Sequence, residues 1–126
     1  MEKNKILVVD DDVKILSLIV RLLNREGYRV VSAASGQAAC EMLKMGKPDL
    51  IIADLILPDM NGGEIIQFVQ VEQGIDVPVL FLTGMISKEE ETENHLSINV
   101  REKRYPAIAK PFAEEEFLRL VKEQLQ

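Results

Sequence analysis

Short apolar runs alternate along the chain with segments of helical period, the pattern of a parallel sheet covered by helices on both faces. Ile6-Leu7-Val8-Val9 is a run of strand length that stops at Asp10-Asp11-Asp12. From Val13 to about Arg25, the residues Val13, Leu16, Val20 and Leu23 share one helical face, Ile19 and Leu22 broaden it, and Gly27 ends the helix. Residues 28–34 read as a second strand. Ser35 caps a helix running to about Met45, which Gly46 ends and Pro48 keeps from continuing. Leu50-Ile51-Ile52-Ala53 is a third buried strand, closed by Asp54. Beyond residues 58–63 a helix runs to about Gln73 with Ile65, Ile66, Phe68 and Val69 inward. Val77-Pro78-Val79-Leu80-Phe81-Leu82 is a fourth strand, ending at Thr83-Gly84. Ala107-Ile108-Ala109 is a short last strand, followed by Lys110-Pro111 and a helix carrying Phe117, Leu118, Val121 and Leu125. The sum is five βα units in an α/β fold.

Residues 86–106 break this rhythm. Ser87 and Glu90 have capping-box spacing, so a helix is expected to begin there. No apolar residue lies between Ile86 and Leu96 to hold its early turns, and Leu96, Ile98 and Val100 then alternate with period two. Acidic Glu89, Glu90, Glu91 and Glu93 precede basic Arg101, Lys103 and Arg104. A solvated helix and loop is one reading; a modified partner-binding surface is the other.

Composition narrows the class. At 126 residues, 47% hydrophobic and 29% charged, the chain is expected to be a single soluble domain with its own core. A net charge of −6 argues against nucleic acid or an anionic membrane as a direct partner. Cys40, the lone cysteine, excludes an internal disulfide, and no segment resembles a signal peptide or a membrane span, so a cytoplasmic location is expected. Cys40 and Met42 are expected to pack within the second helix, and His95 to face solvent.

The chemistry gathers at one edge. In an open parallel sheet the site lies outside the carboxyl ends of the strands. Those ends carry Asp10 and Asp11, Asp54, Thr83 and Lys110. Carboxylates meeting in one pocket repel unless a positive charge sits among them, and a hard cation with oxygen ligands meets that need. Magnesium, or manganese in its place, fits because it keeps waters that a phosphoryl oxygen can replace. Lys110 adds a second positive charge, Thr83 a hydroxyl donor, and Asp54, at the centre, a nucleophile. Taken singly each has a plainer reading: strand-end acids commonly cap helices, as Asp12 is expected to do for the first one, and a surface lysine commonly does nothing. Their joint arrival at the correct strand ends favours phosphoryl chemistry.

The residues Ile6 to Asp12, the run Asp49-Leu50-Ile51-Ile52-Ala53-Asp54-Leu55-Ile56-Leu57-Pro58-Asp59-Met60-Asn61-Gly62, the strand Pro78 to Gly84 and Lys110-Pro111-Phe112 together resemble response regulator receiver domains of two-component systems, the chemotaxis-regulator type among them, over residues 5–125. The resemblance implies a flavodoxin-like five-stranded sheet of order 2-1-3-4-5. It implies Asp54 as phosphoacceptor, Asp10, Asp11, Asp54 and the Ile56 carbonyl as metal ligands, Thr83 and Lys110 on the phosphoryl group, and a cis Lys110–Pro111 bond. It implies a sensor histidine kinase or histidine phosphotransfer protein as donor, an output domain or partner protein as reader, and no enzyme beyond slow self-dephosphorylation. His95 is then not the donor histidine.

Two departures stand out. The aromatic switch residue expected three positions before the lysine is Ala107, with Tyr105 nearby, so the response is expected as ordering of residues 86–106 and not as a ring rotation. The side chains that the resemblance places beside the hydrolytic water are Ile56 and Met85, neither able to orient it, so a long-lived phosphoprotein is expected; both could equally form an apolar docking patch. The competing function is a phosphorylation-independent interaction module of the same fold. A haloacid-dehalogenase-type hydrolase needs an acid where Ile56 stands, and a flavin phosphate would be repelled by Asp10 to Asp12.

Overall fold

A computed structural model describes residues 4–84, 97–100 and 102–126. Strands β1 (Lys5–Val9), β2 (Arg29–Ala33), β3 (Leu50–Asp54), β4 (Val79–Thr83), β5 (Ser97–Val100) and β6 (Lys103–Ala109) form one sheet of order β2-β1-β3-β4-β6-β5. The β1–β2, β1–β3, β3–β4 and β4–β6 pairs are all parallel. The expected parallel order is therefore present, with β6 in fifth place. Its neighbour β5 is an addition, antiparallel to β6 and registered Ser97 to Pro106 through Val100 to Lys103. The expectation of five strands is corrected to six among the described residues.

The central strands are apolar on both faces because both faces are covered. Ile6 and Val8, Leu50 and Ile52, Leu80 and Leu82, and Ile108 meet helices α1 (Val13–Arg25) and α4 (Glu114–Leu125), which contribute Ile19, Leu22, Leu23, Phe117 and Val121. The alternate residues Leu7, Val9, Ile51, Ala53, Val79, Phe81, Tyr105 and Ala107 meet α2 (Gly36–Met45) and α3 (Gly62–Gln67). Period-two alternation thus runs through each strand without one polar face. Val13 departs from expectation: it is 70% exposed, because it occupies the first turn at the rim and not the turns over the strands. The inward stripe is carried by Ile19, Leu22 and Leu23.

The expected caps are in place. Asp12 accepts from the backbone N–H of Lys14 and Ile15, and Ser35 from that of Ala38. Gly27, at φ 92°, takes the left-handed conformation that ends α1. The third helix does not run straight to Gln73: after Gln67 it widens into a π-turn, Phe68–Glu72, closed by Gln73 N–H on the Phe68 carbonyl at 2.9 Å. The helix expected to start at Ser87 lies outside the described residues, as do Met85 and His95. From residue 97 onward, the expectation of a helix and loop gives way to the β5–β6 hairpin, whose turn places Glu102 at φ 66°.

Gly62 marks a close backbone approach to the core. A Cβ there would lie 2.7 Å from Phe81 Cε1 and 2.8 Å from Leu55 Cδ1. Gly62→Ala is expected to lower the unfolding free energy by about 1–3 kcal/mol through overpacking. Urea denaturation checks it; an unchanged midpoint would mean that Phe81 yields freely.

Candidate phosphoryl and metal site

Three strand ends and the turn after β6 build the site. β1 ends at Val9, and Asp10 follows with no accessible surface. Its Oδ1 accepts from the Asp12 backbone N–H at 2.8 Å. Its Oδ2 has no well-directed hydrogen bond, but the Lys110 ammonium lies 2.7 Å away as an ion pair. The same ammonium donates to Asp54 Oδ2 at 2.8 Å. Asp54 Oδ1 accepts from the Ile56 backbone N–H at 3.1 Å, so both oxygens of this carboxylate have a donor. Asp11 stands exposed beside them, and carboxylate oxygens of Asp10, Asp11 and Asp54 all lie within 4.8 Å of one another. Thr83, the last residue of β4, is buried, and its carbonyl accepts from the Lys110 backbone N–H at 2.8 Å. The Lys110–Pro111 bond is cis, as the resemblance implies.

Electrostatics follow from this packing. Burial alone would lower the Lys110 pKa; the close contacts and charges of Asp10 and Asp54 outweigh it and raise the pKa above the ordinary lysine value. The lysine is therefore held charged. Three carboxylates still face one ammonium, so the pocket remains electron-rich, and its oxygen-only donor set could hold a hard divalent cation. Ile56, two residues after Asp54, is half exposed.

Every candidate from the strand ends is thus accounted for: Asp10, Asp54 and Lys110 in direct contact, Asp11 within ligand-sharing distance of the other acids, Thr83 bonded to Lys110 through the backbone. Two features were not anticipated. Tyr105, two residues before Ala107 on the same face of β6, is buried edge-to-face against Phe81 with ring centroids 5.9 Å apart. Gln70 of the π-turn donates to its hydroxyl at 2.5 Å, and the Lys103 ammonium lies 5.4 Å from its ring centre. The aromatic missing at position 107 is therefore present one step back along the strand, already packed inside. The other feature is Asp59, whose two carboxylate oxygens accept from the backbone N–H groups of Gly36 and Gln37. Those two bonds hold its carboxyl below the usual aspartate range.

Residues 6–122 match the family described as the response regulator receiver domain. The chain is 37% identical over 112 residues to the alkaline phosphatase synthesis transcriptional regulatory protein PhoP of Bacillus subtilis (strain 168), covering 89% of this chain and 44% of that protein. It spans less than half the length of the curated relatives it matches. Among solved structures, the chemotaxis response regulator CheY4 of Vibrio cholerae superposes with a TM-score of 0.81 at 30% identity, covering 98% of this chain and all of that one. The receiver domain of the hybrid histidine kinase CckA superposes with a TM-score of 0.76 at 28% identity, covering 97% of this chain and 99% of that chain.

Proposed function

The chain belongs to the response regulator receiver family of two-component signalling, and from that premise we propose that residues 1–126 act as one receiver unit whose phosphoacceptor is Asp54. The observation that carries this reading is the position of the Lys110 ammonium, bonded at once to Asp54 Oδ2 and paired with buried Asp10 at a cluster of three carboxylates. In the transfer step an Asp54 oxygen bonds to the phosphorus as the donor's bond to phosphorus breaks and its electron pair leaves with the donor. Lys110 neutralises phosphoryl oxygens, and the Thr83 hydroxyl donates to one of them. Asp10, Asp11, Asp54 and the Ile56 carbonyl would hold magnesium, or manganese; when bound, the ion supplies positive charge to the oxygens of the transferring group. The donor is a sensor histidine kinase or histidine phosphotransfer protein. The product is a conformational signal to an output domain or partner protein, and the domain turns over no substrate of its own beyond slow loss of its phosphoryl group.

No helix among the described residues is long and apolar enough to cross a membrane. A lone cysteine and a net charge of −6 support a cytoplasmic setting without direct nucleic-acid or anionic-membrane binding by this domain. The test is intact mass after incubation with acetyl phosphate. One added phosphoryl group that requires magnesium is expected; no gain with or without the ion would leave the same fold acting as a phosphorylation-independent module.

Ile56 bears on the lifetime of that state. An aspartyl phosphate is lost when a water attacks in line, and a half-exposed isoleucine can neither hydrogen-bond the water nor act as its base. Ile56→Asn is expected to speed decay of the phosphoprotein roughly tenfold. Decay followed after donor removal checks this; an unchanged rate would favour the docking-patch role for Ile56. The second flanking position, Met85, lies outside the described residues.

A further inference from the structure

The loop that follows the acceptor is a small closed unit. Ile56 and Asn61 face each other in an antiparallel bridge, the Leu57 N–H bonds the Met60 carbonyl at 2.9 Å, and the Gly62 N–H bonds the Leu55 carbonyl at 2.7 Å. Its base is fixed to the sheet by the Leu55 N–H on the Leu82 carbonyl, 2.8 Å. Its tip is fixed elsewhere: Asp59 accepts from Gly36 N–H at 3.0 Å and Gln37 N–H at 2.9 Å, in the first turn of α2. Beside that clamp, Met60 occupies the space over Gly36, where a Cβ would approach the methionine Cβ to 2.6 Å.

Asp59 is exposed, so it adds nothing to the core, and α2 already has a cap in Ser35. What Asp59 supplies is the hydrogen-bonded tether between the loop and the helix, beside the apolar contact of Met60 with Gly36 and Cys40. The Ile56 N–H that orients Asp54 Oδ1 is carried on this tethered unit, at 3.1 Å, where a shift of about 1 Å would end the bond. We propose that Asp59 is a positioning residue for phosphoryl acceptance: by clamping the acceptor loop to α2, it keeps the Ile56 backbone on Asp54 and so holds the carboxylate and the adjoining metal face in register. The proposal rests on the receiver reading above.

Two substitutions at the same helix end separate positioning from helix stability. Asp59→Ala removes the hydrogen-bonded tether; Ser35→Ala removes a cap bond to Ala38 and leaves both Asp59 bonds in place. In the metal-free protein, amide exchange at Ile56 is expected to quicken in Asp59→Ala and stay native in Ser35→Ala, at comparable losses of Tm. Magnesium affinity, read by calorimetric titration, is expected to fall roughly ten- to a hundredfold in Asp59→Ala only, with Asp59→Asn between Asp59→Ala and native because its carbonyl can still accept. Equal effects of the two alanines on affinity would overturn the proposal, as would an Ile56 amide released with affinity unchanged, or neither readout moving. Failure of the native protein to bind magnesium and take label contradicts the receiver reading itself; native behaviour with no contrast between the variants contradicts the tether alone.

Discussion

Asp54→Ala is expected to gain no phosphoryl group from acetyl phosphate and magnesium under conditions in which the native protein gains one. The expectation follows from which carboxylate of the cluster is both oriented and open to solvent. Asp54, like Asp10, has Lys110 on one oxygen and a backbone N–H on the other, but of the two it is the one partly open to solvent. Asp10 is fully enclosed, and its Oδ1 is committed to the Asp12 backbone. Asp11 is exposed, within ligand-sharing distance of both. Asp11→Ala is accordingly expected to keep the fold and lose magnesium-dependent labelling. Intact mass spectrometry with circular dichroism on the same samples checks both; labelling of Asp54→Ala at the native level would mean that another group is the nucleophile.

The second large effect is on stability. Lys110 is the only cation in ion-pair contact with Asp10 and Asp54 among the described residues. Its removal strands a carboxylate that has no accessible surface. Breaking a buried pair from one side costs roughly 3–5 kcal/mol, and partial solvent access on the Asp54 side puts Lys110→Ala near the lower end, about 3 kcal/mol in the presence of chelator. Magnesium restores part of that loss, because an ion bound to the native state both supplies charge and stabilises by mass action. The double substitution Lys110→Ala with Asp10→Asn should be less destabilised than the two single effects added, since the stranded charge is then absent. Urea denaturation with and without magnesium measures all of these. An unchanged midpoint for Lys110→Ala in chelator would contradict the ion-pair account.

The parts of this structure legible in the sequence are those written in local pattern. Ile6 to Val9, Leu50 to Ala53 and Val79 to Leu82 are continuous apolar runs because both faces of the sheet are covered, and each ends in the polar residue that serves the site. Asp12 and Ser35 announce helix starts by side-chain chemistry that acts within three residues. The β5–β6 hairpin was harder. Its alternation at Ile98 and Val100 is visible, but the turn has no Asn-Gly or Asp-Gly; Glu102, an unusual residue at positive φ, takes that role. Pro106 within β6 further argues against a strand, yet it sits opposite Ser97 near the end of the pairing. The π-turn in the third helix left its apolar spacing close enough to helical that Ile65, Ile66 and Val69 gave no sign of it. Asp59 and Tyr105 act through partners more than 20 positions away, Gly36 and Gln37 in one case and Gln70 in the other, and no local signal names such partners.

The central claim is that one named aspartate carries the phosphoryl group, and locating the acyl phosphate tests it most directly. Labelling with acetyl phosphate and magnesium, reduction with borohydride to convert the phosphorylated aspartate to homoserine, and peptide mass mapping identify the residue without any substitution. Conversion confined to Asp54 is the predicted result; conversion at Asp10, Asp11 or any other aspartate, with Asp54 intact, would contradict it.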